Sequence, residues 1–243
     1  MPWVGDGEPF PPTSRALDDA SEAPGLLAVG GTLSAARLEE AARHGIFPLY
    51  NTDTPVMWWA PAERMVIPVA EVQLSHTMRP TLRRFIRKPG CEVRVDAAFE
   101  RVLAGCATTR RKGQDEPTWI LPELECAYLD LWRAGRAHSF ETWMDGELVG
   151  GLFGIELGRT FSIESMFSQR NDASKIAFAA LVAFGREHGI ELLDCQLYSP
   201  HLASLGGRLM PREEFERHLA RGLQQPVIEG WRFDPGLWSL LDL

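Results

Sequence analysis

Residues 138–157, HSFETWMDGELVGGLFGIEL, decide how the rest of the chain is read. Two apolar-rich runs flank Asp145-Gly146, a pair suited to a two-residue type I′ turn because both central positions need positive φ. The stretch therefore predicts a β-hairpin. After Leu157-Gly158 a third strand follows, RTFSIESMF (159–167). NDASKIAFAALVAFGREHG (171–189) then reads as a helix, with Asn171 or Ser174 as its cap and Gly189 at its end. IELLDCQLY (190–198) reads as one more strand. Strand–strand–strand–helix–strand describes an α+β or α/β sheet with a crossover helix.

Working outward, GTLSAARLEEAARHG (31–45) carries Thr32 or Ser34 as a cap, Leu38, Ala41 and Ala42 on one face, and Gly45 at the C-terminal end. A short strand is expected at Met57–Trp59. The proline-containing link WAPAER places a boundary near residue 63, dividing a small N-terminal unit (1–63) from a larger one (64–243). HTMRPTLRRFIRK is a basic helix, with Arg79, Arg83 and Arg87 along one stripe beside Arg84 and Lys88. Another helix is expected from Pro122 to Ala134. The final residues, VIEGWRFDPGLWSLLDL, read as a tail.

The totals exclude several classes. At 243 residues with 45% hydrophobic and 24% charged side chains, the chain is of ordinary globular composition. Its net charge of −8 argues against general nucleic-acid binding, so contact with a polyanion requires a local basic patch. The four cysteines are scattered with no CxxC pair, which argues against a disulfide framework or zinc site and fits a cytoplasmic protein. No run approaches the roughly 20 apolar residues of a membrane helix, and the N-terminus lacks signal-peptide character.

On a regular strand Ile190, Leu192, Asp194, Gln196 and Tyr198 share one face, and Leu193 and Cys195 the other. An apolar stripe thus turns polar at the strand's C-terminal end, where crossover sheets collect ligands. On the third strand Phe161, Ile163 and Ser165 take one face, and Ser162, Glu164 and Met166 the other. Two acids and an amide converging there suit binding a cationic amine and handling its proton. The spacing equally allows both acids to be solvated.

The strings GLLAVGGTLSAARLEEAARHGIFP, VMWWAPAERMVI, PTWI, LVGGLFG, IESMFS, NDASK, LLDCQ and HLASLGG occur in an order that resembles the leucyl/phenylalanyl-tRNA–protein transferases, from about residue 25 to Leu219. That resemblance implies a GNAT-like mixed sheet behind a small N-terminal α+β domain. It implies transfer of Leu or Phe, and less readily Met, from aminoacyl-tRNA to an N-terminal Arg or Lys, marking the protein for N-degron degradation. Asp194 and Gln196 match the family's catalytic pair, and Glu164 the acid that holds the acceptor. By the same match Phe161, Met166, Leu152, Leu181, Leu193 and Leu49 are donor-pocket candidates, with Trp119 and Tyr128 near the terminal adenosine. Leu193 needs a bulge to reach that pocket. Arg79, Arg83, Arg84, Arg87 and Lys88 correspond to a tRNA-binding cluster; Arg110, Arg111 and Lys112 read as a flexible loop, or else as an addition to that cluster. Of Trp58 and Trp59, one is expected in the core. Leu49, Ala42, Thr32, Ile163 and Gly185 depart from the family's usual residues.

An aminoacyl ester is already activated, so this chemistry implies no cofactor and no metal. A free α-amino group, with a pKa of about 7.7–8.0, is partly neutral at pH 7. Gln196 cannot titrate. It is read as positioning the amine through its carbonyl oxygen, polarised by Asp194, while Asp194 and Glu164 attract the acceptor's charge. Holding ester and amine together can supply ~7–11 kcal/mol. The alternatives are a coenzyme A-dependent acyltransferase and a non-catalytic tRNA-binding protein. SQRNDASK lacks the glycines a pyrophosphate loop needs, and the three polar residues argue against loss of catalysis. The protein is expected to act as a monomer.

Overall fold

The seven-stranded sheet that carries the site is built mainly from the hairpin region. A computed structural model describes residues 2–108 and 119–243. Arg110, Arg111 and Lys112 lie outside the described residues. The elements run in order: β1 (Leu26–Val29), α1 (Ala35–Arg43), β2 (Phe47–Pro48), β3 (Met57–Trp59), β4 (Glu63–Pro68), α2 (Met78–Arg87), β5 (Cys91–Val95), α3 (Phe99–Thr108), α4 (Pro122–Arg133), β6 (Ala137–Met144), β7 (Glu147–Leu157), β8 (Thr160–Ser168), α5 (Ala173–His188), β9 (Leu192–Asp194), α6 (Pro200–Ser204), β10 (Arg208–Pro211) and α7 (Arg212–Gly222). Strands β1, β3 and β2 form a small antiparallel sheet. The large sheet has the order β10-β4-β9-β8-β7-β6-β5, antiparallel except for β8 beside β9.

Local signals act as the sequence reading expects at several points. Asp145 and Gly146 take φ of 56° and 82°, as a type I′ turn demands. The Ser34 hydroxyl accepts the Arg37 N–H at 3.1 Å and caps α1. Gly45 and Gly189 adopt the left-handed conformation that closes α1 and α5. Trp58 is fully buried in the core while Trp59 is half-buried, its indole N–H donating to the Leu49 carbonyl.

Three expectations are corrected. Neither Asn171 nor Ser174 caps α5. Asp172 occupies the N-cap position at φ 63° without a capping side chain, and the Ser168 hydroxyl from β8 receives the Ser174 N–H instead. The strand expected over residues 190–198 spans only Leu192–Asp194, because Gln196 turns to φ 62° and leaves the extended conformation. The faces of β8 do not alternate regularly, because Phe153 pairs with Ser165 and Gly154 with Ile163, leaving Glu164 without a partner across the ladder. A β-bulge at Glu164 shifts the alternation by one residue. Met166 thus joins Phe161 and Ile163 in one cluster while Phe167 enters the other.

The sheet separates two apolar clusters. One face meets the N-terminal sheet, α1, α3, α4 and α7, gathering Leu27, Leu38, Trp58, Tyr128, Phe153 and Phe215. This cluster runs from the small sheet into the large one, whose first strand begins at Glu63. The other face is covered by α5 and α2, and by the tail, whose Ile228, Phe233, Trp238 and Leu241 are buried against it. No helix among the described residues is long and apolar enough to cross a membrane.

Candidate active site

Glu164, Asp194 and Gln196 come together at the end of the β8–β9 ladder. The two strands pair over Thr160↔Leu192, Phe161↔Leu193 and Ser162↔Asp194, and the ladder stops there. Alternation from Ser162 turns the Glu164 carboxylate to the first face, where the residue is 8% exposed. It accepts the Tyr128 hydroxyl at 2.7 Å, the Ser162 hydroxyl at 2.8 Å and the Gln196 side-chain amide at 3.0 Å. Burial raises its pKa above the ordinary 4.5; these three bonds pull it down, and the nearby Asp194 charge pushes it up. Burial, and then the Glu164 charge, hold the Tyr128 phenol protonated well above its ordinary 10.0. Tyr128 is therefore a fixed donor.

Asp194 is 1% exposed and fully engaged. Arg64 on β4 forks onto it, with Nε to Oδ1 and one terminal nitrogen to Oδ2, both at 2.8 Å. The backbone N–H of Gln196 also donates to Oδ1, at 2.9 Å. Sequence reasoning missed Arg64. Its signal was a guanidinium at the start of the apolar run RMVI, on the same face as Val66, where a charge needs a buried partner.

These contacts revise the expected roles. Both Asp194 oxygens are taken by Arg64, so Asp194 is not a free anion for an acceptor cation. It meets Gln196 only through the backbone. Gln196's side chain is oriented by Glu164, since a carboxylate can only accept and so faces the amide NH2, not its carbonyl oxygen.

A narrow crevice of about 10 Å³ lies over the cluster, with Ala42, Ile46, Phe47 and Pro48 on the N-terminal side and Arg64, Tyr128 and Glu164 beneath. Tyr128 lies inside the core, edge-on to Phe153 at 5.0 Å, and presents no stacking face to solvent. Trp119 is half-buried against the same cluster, and Leu49 is half-buried beside β3. Phe161, Met166, Leu152 and Leu193 are not brought to this face. They pack on the opposite side of the sheet with α5, where Leu181 also lies. Leu193 reaches that side by regular alternation, without the bulge expected for it. Gly185 on α5 packs toward Val69 and Ile190, where a Cβ would sit 3.2–3.3 Å from its neighbours.

On α2, Leu82 and Phe85 are buried while Arg83, Arg84 and Arg87 are exposed. Those three, with Lys88 and Pro80, line a shallow basic depression. Arg79 stands apart from it, half-buried and donating to the Leu74 carbonyl at 3.3 Å. Lys88 follows the helix and pairs with Asp145 at 3.1 Å.

The chain that folds into this mixed sheet matches two consecutive family profiles. That described as leucyl/phenylalanyl-tRNA protein transferase N-terminal domain covers residues 31–62, and that described as leucyl/phenylalanyl-tRNA protein transferase covers 66–220. The chain is thus an enzyme of the aminoacyltransferase class. Proteins named leucyl/phenylalanyl-tRNA–protein transferase from Leptothrix cholodnii and Methylibium petroleiphilum are 54% and 55% identical to it, over 99% and 97% of this chain and 95% and 89% of theirs. The chain belongs to the leucyl/phenylalanyl-tRNA–protein transferase family. Among solved structures, FemX is similar at a TM-score of 0.47 and 13% identity, covering 72% of this chain and 66% of that one.

Proposed function

We propose that this protein transfers Leu or Phe, and less readily Met, from aminoacyl-tRNA to the N-terminal Arg or Lys of proteins, marking them for degradation in the cytoplasm, and that it acts as a monomer without cofactor or metal. The observation that carries the reading is the Glu164–Gln196–Asp194 cluster on the floor of the crevice. Of the two carboxylates in the cluster, Glu164 has no cation beside it, and it attracts the acceptor's positive charge. Gln196, its NH2 committed to Glu164, offers its carbonyl oxygen to the acceptor's α-amine.

The neutral amine nitrogen attacks the ester carbonyl. The carbonyl–oxygen bond to the tRNA ribose breaks, and the ribose oxygen takes up the proton the amine releases, so the step is proton-neutral. The donor side chain passes beyond the point where β8 and β9 stop pairing, toward Phe161, Met166, Leu152 and Leu193. Trp119 and Leu49 border the terminal adenosine, and Tyr128 contributes from beneath through Glu164. Arg83, Arg84, Arg87 and Lys88, with Arg79 at their margin, hold the tRNA backbone by charge, without reading sequence.

The test is transfer itself. The protein is incubated with tRNA carrying labelled Leu or Phe and peptides beginning with Arg, Lys, Asp or Glu. Label on the Arg and Lys peptides alone supports the reading. Acylation from acetyl-coenzyme A, or tRNA binding without transfer, contradicts it.

A further inference from the structure

Arg64 lies on the second strand from Glu164 and is joined to the cluster through Asp194. Its guanidinium is 3% exposed and makes three hydrogen bonds, two to Asp194 and one to the Gly45 carbonyl at 3.0 Å. The rings of Phe47 and Phe215 flank it at 4.7 and 5.0 Å. A buried ion pair loses hydration on both ions, so its presence alone says little about stability. Its position says more. Asp194 Oδ1, which Arg64 holds, also receives the Gln196 N–H. Gln196 sits at φ 62°, a conformation uncommon for a residue with a side chain. From that turn its amide reaches Glu164 across 32 residues of sequence.

We propose that Arg64 is a positioning residue for the transfer reaction. It acts through Asp194, neutralising and orienting that carboxylate so that Asp194 holds the left-handed turn of Gln196 and aims the Gln196 amide at Glu164. It also sets which acid stays available. With Asp194 neutralised, Glu164 carries the site's uncompensated negative charge, held by three neutral donors. The bond to Gly45 ties this arrangement to the end of α1, whose Ala42 and following residues Ile46 and Phe47 wall the crevice. The inference rests on the transferase reading above.

The experiment compares the full-length wild type with Arg64→Lys, Arg64→Met, Asp194→Asn and the Arg64→Met/Asp194→Asn double variant. kcat and KM are measured for Leu-tRNA and for a peptide beginning with Arg, and folding is followed by circular dichroism. Arg64→Met is expected to lower kcat by about tenfold or more, with the KM for Leu-tRNA within about twofold of wild type. Arg64→Lys, which keeps the charge but loses the fork, recovers part of the loss. Because Arg64 acts through Asp194, the double variant falls within about twofold of Asp194→Asn alone. Losses that multiply in the double variant, or an Arg64→Lys kcat within about twofold of wild type, overturn the proposal. If Arg64→Met does not fold, Arg64→Lys still decides by the same threshold. A wild type inactive in transfer counts against the function itself and not against the role of Arg64 within it.

Discussion

The proposed transfer needs Glu164 ionised in a place that resists ionisation. Burial raises its pKa above 4.5, while Tyr128, Ser162 and Gln196 oppose the rise. Because the folded chain holds this proton more tightly than the unfolded one, the group favours folding below about pH 4.5 and that contribution is lost as pH climbs through the raised value. Glu164→Gln removes the titration. The stability of wild type relative to this variant should therefore decline with rising pH across that window, as measured by urea denaturation at several pH values. Catalysis runs the opposite way. The ionised form attracts the acceptor, so the wild-type acceptor KM should fall as pH rises through the same window, and the Glu164→Gln KM should stay flat there. kcat/KM should go on rising to about pH 8 as the acceptor's amine loses its proton. A Glu164→Gln variant that keeps the wild-type pH profile would contradict this.

At the scale of elements, the bulge in β8 ends the regular alternation at Glu164 and turns Met166 to the opposite face, and it depends on the residue across from it. A Cβ added at Gly154 would lie 2.1 Å from the Ser162 carbonyl oxygen and 2.5 Å from the Phe161 ring. Backbone cannot give way as a side-chain tip can. Gly154→Ala is predicted to destabilise the fold by at least about 1–3 kcal/mol and to lower kcat beyond the loss of folded protein; urea unfolding and transfer kinetics check both. On α2, removing Arg83 and Arg87 together should weaken tRNA binding and reduce the salt slope of log K by about two units or slightly less, with acceptor KM unchanged. Filter binding at several salt concentrations measures it.

The same elements explain what could be read from the sequence. The Asp145-Gly146 turn, the caps at Ser34, Gly45 and Gly189, and the apolar faces of α1 and α2 are local signals, each contained within a few residues. The bulge is not. IESMFS carries no composition that distinguishes it from a regular strand, and only pairing with Gly154 reveals the shift. That is why Met166 was expected beside Glu164. The Arg64–Asp194 pair spans 130 residues and joins strands that meet only in the folded sheet. Glu164, Asp194 and Gln196 were legible as polar residues at a sheet's end, but their division of labour was not.

At the scale of the molecule, the tail closes the face opposite the site. Trp231 stacks on His138 with ring centres 3.7 Å apart, and Trp238 is buried beside Phe85 of α2 and Phe233. The Arg186 guanidinium of α5 ties the Leu240 carbonyl to the Val72 carbonyl, at 2.7 Å each. Trp238→Ala should cost about 3–5 kcal/mol of stability, read from urea unfolding, while the acceptor KM of the folded fraction stays at the wild-type value. The tail thus stabilises the scaffold that holds β8 and β9 from the face opposite the Glu164–Gln196–Asp194 cluster.

The central claim is that Glu164 supplies the negative charge that selects the acceptor. It is tested most directly by comparing transfer of Leu to a peptide beginning with Arg and to one beginning with citrulline, its uncharged near-isostere. The wild type should favour Arg by about tenfold or more in kcat/KM, and Glu164→Gln should bring the two peptides to near equality. A preference for Arg undiminished in Glu164→Gln, or no preference in the wild type, would contradict the claim.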